Sequence, residues 1–186
     1  MDKAGKLLGI AEEIKKCRIC KKWGEGRPVP GEGSPDAEIV FIGEAPGREE
    51  SVTGRPFVGR SGRLLRTMIR EIGLSEKDVF ITSPVQYLPL RGTPSRENIN
   101  HSRGHLKQQL SLIGPRVIVL LGNTACIALL DRKMKITELH GTFTTDNDKM
   151  YFITFHPAYA LRFPEGKREF IEDFKILKRL LSGINK

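Results

Sequence analysis

Glu38-Ile39-Val40-Phe41-Ile42-Gly43 reads as a strand buried on both faces: four apolar residues in succession, without polar alternation, closed by a glycine. The same signature returns at Val79-Phe80-Ile81-Thr82 and at Val117-Ile118-Val119-Leu120-Leu121, which Gly122 ends. Phe143 and Tyr151-Phe152-Ile153-Thr154-Phe155 predict a hairpin or further strands. Between these runs the apolar period is helical. Ser61 to Ile72 places Leu64, Leu65, Met68, Ile69 and Ile72 on one face, and Arg63, Arg66 and Arg70 on the other. Ser95 to Ile113, Thr124 to Leu130 and Arg168 to Ile184 are further predicted helices. Strands alternating with helices imply a three-layer α/β/α sandwich around a mainly parallel, four-stranded sheet.

Working outward, Lys3 to Lys16 is a helix by its spacing of Leu7, Leu8, Ile10, Ala11 and Ile14. It runs into Cys17-x-x-Cys20, and then into a loop rich in Gly and Pro over residues 24 to 37. Residues 1 to 37 are expected to pack on the rest as part of a single domain spanning 1 to 186. No apolar run is long enough for a bilayer, and the N-terminus lacks the pattern of a signal peptide. Three cysteines make no secreted disulfide framework, so the expected compartment is the cytoplasm, with no membrane partner. The net charge of +9 favours a polyanionic partner such as DNA. Nothing in the chain requires more than a monomer.

In an open α/β sheet, ligands bind beyond the carboxyl ends of the strands. The unusual residues fall there. The first strand leads into Gly43-Glu44-Ala45-Pro46-Gly47 and Glu50. The second leads to Ser83-Pro84, the third to Gly122-Asn123, and the last to His156-Pro157-Ala158-Tyr159. Gly54-Arg55-Pro56-Phe57-Val58-Gly59 precedes a helix and offers Phe57 either to the core or as a platform for a flat base.

These segments, in this order, resemble the thermophilic-type (family 4) uracil-DNA glycosylases, over nearly the whole chain. The resemblance implies an enzyme that flips a damaged nucleotide out of DNA and hydrolyses its N-glycosidic bond. It implies that Glu44 and Ala45 line the pocket and that Phe57 stacks on the base. Glu50 would handle the attacking water, and His156 would donate to the base oxygen that gains charge. Those residue types suit the chemistry, since the sugar becomes cationic while the leaving base becomes anionic. Ser83 and Asn123 complete the base-binding candidates. Arg60, Arg63 and Arg162 are the candidate phosphate contacts.

Two departures from the family stand out. The family has an asparagine that reads the pyrimidine edge where this chain has Ser83, whose single hydroxyl cannot copy a bidentate amide. That opens uracil, hypoxanthine, xanthine or mismatched thymine as the target base, or a damage-binding module with little cleavage. The family also holds a [4Fe-4S] cluster on four cysteines. Cys17 and Cys20 match, but Tyr87 and Ser102 occupy the other two positions, and Cys126 is expected in the core. His101 and His105 lie four apart on one helix face, and Cys-x-x-Cys with His-x-x-x-His is a zinc-ligand set. The readings are a structural Zn²⁺ on Cys17, Cys20, His101 and His105, a [4Fe-4S] cluster, or no metal.

Overall fold

The computed structural model describes residues 2–146 and 149–184. Its core is the parallel sheet that the apolar runs require. Strands β3 (Ile39–Ile42), β4 (Val79–Thr82), β6 (Val117–Leu121) and β8 (Lys149–Thr154) stand in the order β4-β3-β6-β8, all parallel. Every residue of β3, β4 and β6 is buried, which is why their sequences show no alternation. Two antiparallel additions widen this to six strands. β2 (Glu32–Gly33) pairs with β4 at one edge, and β7 (Thr142–Asp146) pairs with β8 at the other. The expected four-stranded sheet is therefore the centre of a six-stranded one.

Helix α4 (Arg60–Glu71) packs with α8 (Pro157–Arg162) and α9 (Pro164–Ile184). Helix α1 (Lys3–Lys16) packs with α5 (Arg96–Ile113), and α5 in turn with α6 (Asn123–Leu130). The crossover from β3 to β4 runs one way along the sheet, and those from β4 to β6 and from β6 to β8 run the other way. Right-handed crossovers place helices α4 and α5 on opposite faces. Adjacent strands β3 and β6 are thus followed by helices on opposite faces, and a crevice opens beyond their carboxyl ends. On the α9 side, Phe41 stacks on Phe174 at 6.0 Å, and Phe170 packs against Phe174 at 4.9 Å. All three are fully buried, each stabilising the fold by about 1.5–3 kcal/mol.

Helix α9 begins at Pro164, four residues before the sequence pattern places it, because proline is pre-set for the first helical position. Four short helices escape the periodicity altogether: α2 (Arg18–Lys22), α3 (Arg48–Thr53), α7 (Ile136–Leu139) and α8. Among the described residues, no helix is long and apolar enough to cross a membrane.

Candidate active site and metal cluster

Phe57 adopts φ +52°, a left-handed backbone that costs a non-glycine residue about 1–2 kcal/mol. Three neighbours hold it there. The ring lies on Gly43, where a Cβ would come within 2.4 Å of the ring's Cζ. The backbone lies on Gly62, where a Cβ would approach the Phe57 carbonyl carbon to 2.1 Å. Arg66 then locks the loop: its Nε donates to the Phe57 carbonyl at 3.0 Å, and its Nη2 donates to the Pro56 carbonyl at 2.7 Å. The same guanidinium pairs with Glu32 at 2.7 Å and with Glu76 at 2.8 Å. Burial pushes the Glu32 carboxyl up, but hydrogen bonds from Arg55 and Arg66 outweigh it and hold the group below its ordinary value. Arg66 was expected on the exposed face of its helix; it is buried instead, because two loop carbonyls and two carboxylates meet its charge inside. Gly62→Ala is expected to displace Phe57 and lower Tm by several degrees, because the added Cβ meets backbone that cannot yield locally; thermal melts check this.

Glu50 is buried at the start of α3. Its Oε1 accepts the backbone N–H groups of Val58 (2.8 Å) and Gly59 (2.7 Å), and its Oε2 accepts that of Gly47 at 3.1 Å. One carboxylate therefore ties the turn after β3 to the Phe57 loop. A carboxylate offers about four acceptor positions, so three bonds leave one for a water.

His156 caps α8. The Ala158 N–H donates to its Nδ1 at 3.2 Å, which leaves the proton of the neutral ring on Nε2. Burial lowers its pKa from 6.5 to about 4, so at neutral pH the ring is an uncharged donor. It lies 6.0 Å from the Phe57 ring, tilted by 35°. Because the folded pKa lies below the unfolded one, the unfolded chain binds this proton first. The stability it contributes is complete above pH 6.5 and is lost as pH falls toward about 4. Thermal unfolding across that window should show a shallower decline in His156→Gln than in the parent.

A cavity of about 140 Å³ brings together Ala45, Gly47, Glu50, Phe57, Ser83 and His156. Ser83 is buried, and its hydroxyl donates to the Val85 carbonyl at 2.9 Å, so it is occupied within its own turn. Glu44 lies one step outside, in a groove of about 470 Å³ that also contains His156, Tyr159 and Arg162. Thr124 donates to Glu44 at 3.2 Å, while burial raises the Glu44 pKa. Asn123 does not line the cavity; its side-chain oxygen accepts the Met134 N–H at 2.7 Å. Arg60 and Arg162 border a shallow depression next to Glu50. Arg63 is exposed beside it, donating to the Val58 carbonyl at 2.9 Å and pairing with Glu49 at 3.5 Å. Sequence reasoning missed the roles of Arg66 and Thr124, which no motif marks.

A second cluster lies where α2 meets α5. The ligand atoms of Cys17, Cys20, His101 and His105 all fall within 4.8 Å of one another, and this set is able to hold a metal ion. Cys17 Sγ is 3.1 Å from His101 Nε2, and the Cys20 N–H donates back to Cys17 Sγ at 3.5 Å. The buried Nδ1 of His105 has no hydrogen-bond partner among the described residues. Tyr87 is buried against Cys20, and Ser102 contacts Cys20 Sγ at 3.7 Å. A four-thiolate cluster does not fit here: two of its positions carry Tyr87 and Ser102, and Cys126 is buried in the main core.

The profile of the uracil DNA glycosylase superfamily matches residues 30–177. A type-4 uracil-DNA glycosylase of Saccharolobus solfataricus is 42% identical over 185 residues, covering 94% of this chain and 86% of the relative. One from Thermotoga maritima is 39% identical, covering 92% and 93%. A type-5 uracil-DNA glycosylase of Thermus thermophilus is 33% identical, covering 65% and 70%. Family profile and relatives agree with a cavity at the carboxyl ends of a parallel sheet: the chain belongs to the uracil DNA glycosylase superfamily.

Proposed function

We propose that the chain is a monofunctional glycosylase that excises uracil from DNA in base excision repair. The observation that carries this reading is the pairing of a fixed aromatic wall, Phe57, with a neutral Nε2–H donor on His156 across a cavity of about 140 Å³. A base flipped into that cavity lies on Phe57. As the glycosidic bond breaks, charge grows on a base oxygen, and His156 donates to it without having to lose a proton of its own. Water adds to the sugar carbon, oriented by the free lone pair of Glu50, which takes its proton; the base leaves with the electron pair of the bond and is protonated from solvent. Arg60, Arg63 and Arg162 meet the phosphates. The Ser83 hydroxyl is engaged by Val85, and the amide of Gln86 in the same turn donates to the Ser83 carbonyl at 3.1 Å.

The test is a cleavage panel of oligonucleotides carrying uracil, hypoxanthine, xanthine or mismatched thymine, each single- and double-stranded. Uracil alone is expected to be released, and Ser83→Asn is expected to raise its rate. Tight binding without release of any base would replace this reading with that of a damage-binding module.

Two thiolates and two imidazoles are a tetrahedral zinc set, and the unpartnered His105 nitrogen supports a missing ligand bond at that point. The proposed ion is a structural Zn²⁺ held by Cys17, Cys20, His101 and His105. When bound, it would supply cross-linking and no chemistry to the base. The protein is proposed to act as a cytoplasmic monomer.

A further inference from the structure

A short ribbon joins the metal cluster to the catalytic groove. Strand β1 (Gly24–Glu25) pairs antiparallel with β5 (Leu88–Pro89), and the Leu90 N–H extends the ladder by donating to the Trp23 carbonyl at 3.3 Å. Trp23 meets His101 edge-on at 5.7 Å, so the cluster fixes the indole at one end of this ribbon. Leu90, beside it, is 58% exposed, although it is large and apolar. Trp23, Leu90, Arg91 and Asn98 line a depression of about 350 Å³, and Pro89 and Thr93 form its inner wall. Those two residues also line the groove that contains Glu44, His156 and Arg162. The depression therefore borders the groove that leads to the catalytic cavity, with Pro89 and Thr93 between them.

The chemistry of this extension is specific. It combines an aromatic and an aliphatic side chain with the exposed cation Arg91, and the exposed Lys21 and Lys22 immediately precede Trp23 in the chain. A duplex keeps its bases stacked inside and shows a protein mainly phosphates and groove edges. Apolar side chains set among cations suit unstacked bases on a charged backbone, the pattern of single-strand grooves.

We propose that the groove beyond Pro89 and Thr93 binds a single-stranded DNA segment flanking the flipped nucleotide, with bases against Trp23 and Leu90 and phosphates near Arg91. This rests on DNA being the substrate of the His156 cavity. The strand runs from the cavity to the metal-anchored ribbon, so the extended footprint lies on one side of the lesion only. The metal cluster then acts as the fixed end of a strand guide.

Trp23 is the sole tryptophan of the chain, so its fluorescence reports this groove directly. The metal-loaded enzyme would be titrated with single-stranded oligonucleotides containing 2′-fluoro-deoxyuridine, which slows cleavage. Flanks of about two or about eight nucleotides would be placed on either side. Quenching and tighter binding are expected only when the longer flank is on one particular side. Trp23→Ala and Leu90→Ser should each weaken that long-flank complex about tenfold, while leaving affinity for the short-flank oligonucleotide unchanged. Trp23→Phe should restore most of the difference. Metal content measured on each variant separates a lost contact from a damaged cluster, and Leu90→Ser reaches no metal ligand. Fluorescence that ignores flank length, or equal weakening of short and long oligonucleotides, overturns the proposal. Flank-dependent quenching without release of uracil from deoxyuridine oligonucleotides would instead count against the glycosylase reading while leaving the groove intact.

Discussion

His156→Ala is expected to lower single-turnover uracil excision by about a hundredfold to a thousandfold, the usual loss for a donor aimed at a developing oxyanion. The magnitude follows from how the ring is held. Burial keeps it uncharged, with its pKa near 4, and the Ala158 N–H fixes Nδ1 as the acceptor. The Nε2 proton is thus already in place before substrate arrives, and little reorganisation is left for the reaction step. Truncation to alanine removes the donor while leaving the helix cap replaceable by water. Affinity for DNA carrying the uncleaved base should change far less than the rate, because the charge that His156 meets exists only as the bond breaks. Rates close to those of the parent would remove His156 from the chemistry. His156→Gln, which keeps an N–H donor of shorter reach, should fall between the two.

Replacing both Cys17 and Cys20 by serine is expected to abolish metal binding and lower Tm by about 10 °C, the shift that a loss of about 3 kcal/mol or more produces in a chain of this size. Around the cysteines the N-terminal segment is held by a small apolar cluster of Ile14, Cys20 and Tyr87, whereas Leu7 of α1 packs against the main core. With so little buried surface there, a bound ion between α2 and α5 would carry much of the attachment. Elemental analysis of the parent protein should return about one zinc per chain and no iron. Cys126→Ser supplies the control: it lies in the main core, so it should leave metal content untouched. Iron, a brown colour or a metal-free parent of unchanged stability would end the zinc reading.

The centre of the fold is legible because β3 and β6 are short apolar runs that only a covered parallel strand accommodates. The edges are not. β2 has two residues, Glu32 and Gly33, and its pairing with β4 is decided by the surrounding loop rather than by side-chain pattern. β7 is polar and largely exposed, as an edge strand tends to be; only Phe143 marks it, and the hairpin expected there forms with β8. The site divides in the same way. Gly43, Phe57 and His156 stand out through their places at strand ends and through the family's motifs. Arg66 does not, since an arginine on an amphipathic helix reads as solvent-facing until the carbonyls of Pro56 and Phe57 are brought beneath it. Asn123 shows the converse: its position after β6 draws attention, yet the chain uses its side chain to fix the loop at Met134.

The left-handed backbone at Phe57 has a consequence for selectivity. The ring is seated on Gly43, and the backbone that carries it is held by Gly62 and a buried arginine, so little room is left for it to swing aside. The cavity then works as a rigid gauge: it measures thickness and breadth mechanically, before any hydrogen bond is tried. If the substrate base stacks on Phe57 as proposed, a single-ring base is expected to fit this space of about 140 Å³, and a fused two-ring base to exceed it. With the Ser83 hydroxyl turned into its own loop, stiffness at Phe57 would, on the proposed function, take over part of the sorting that an amide does by chemistry.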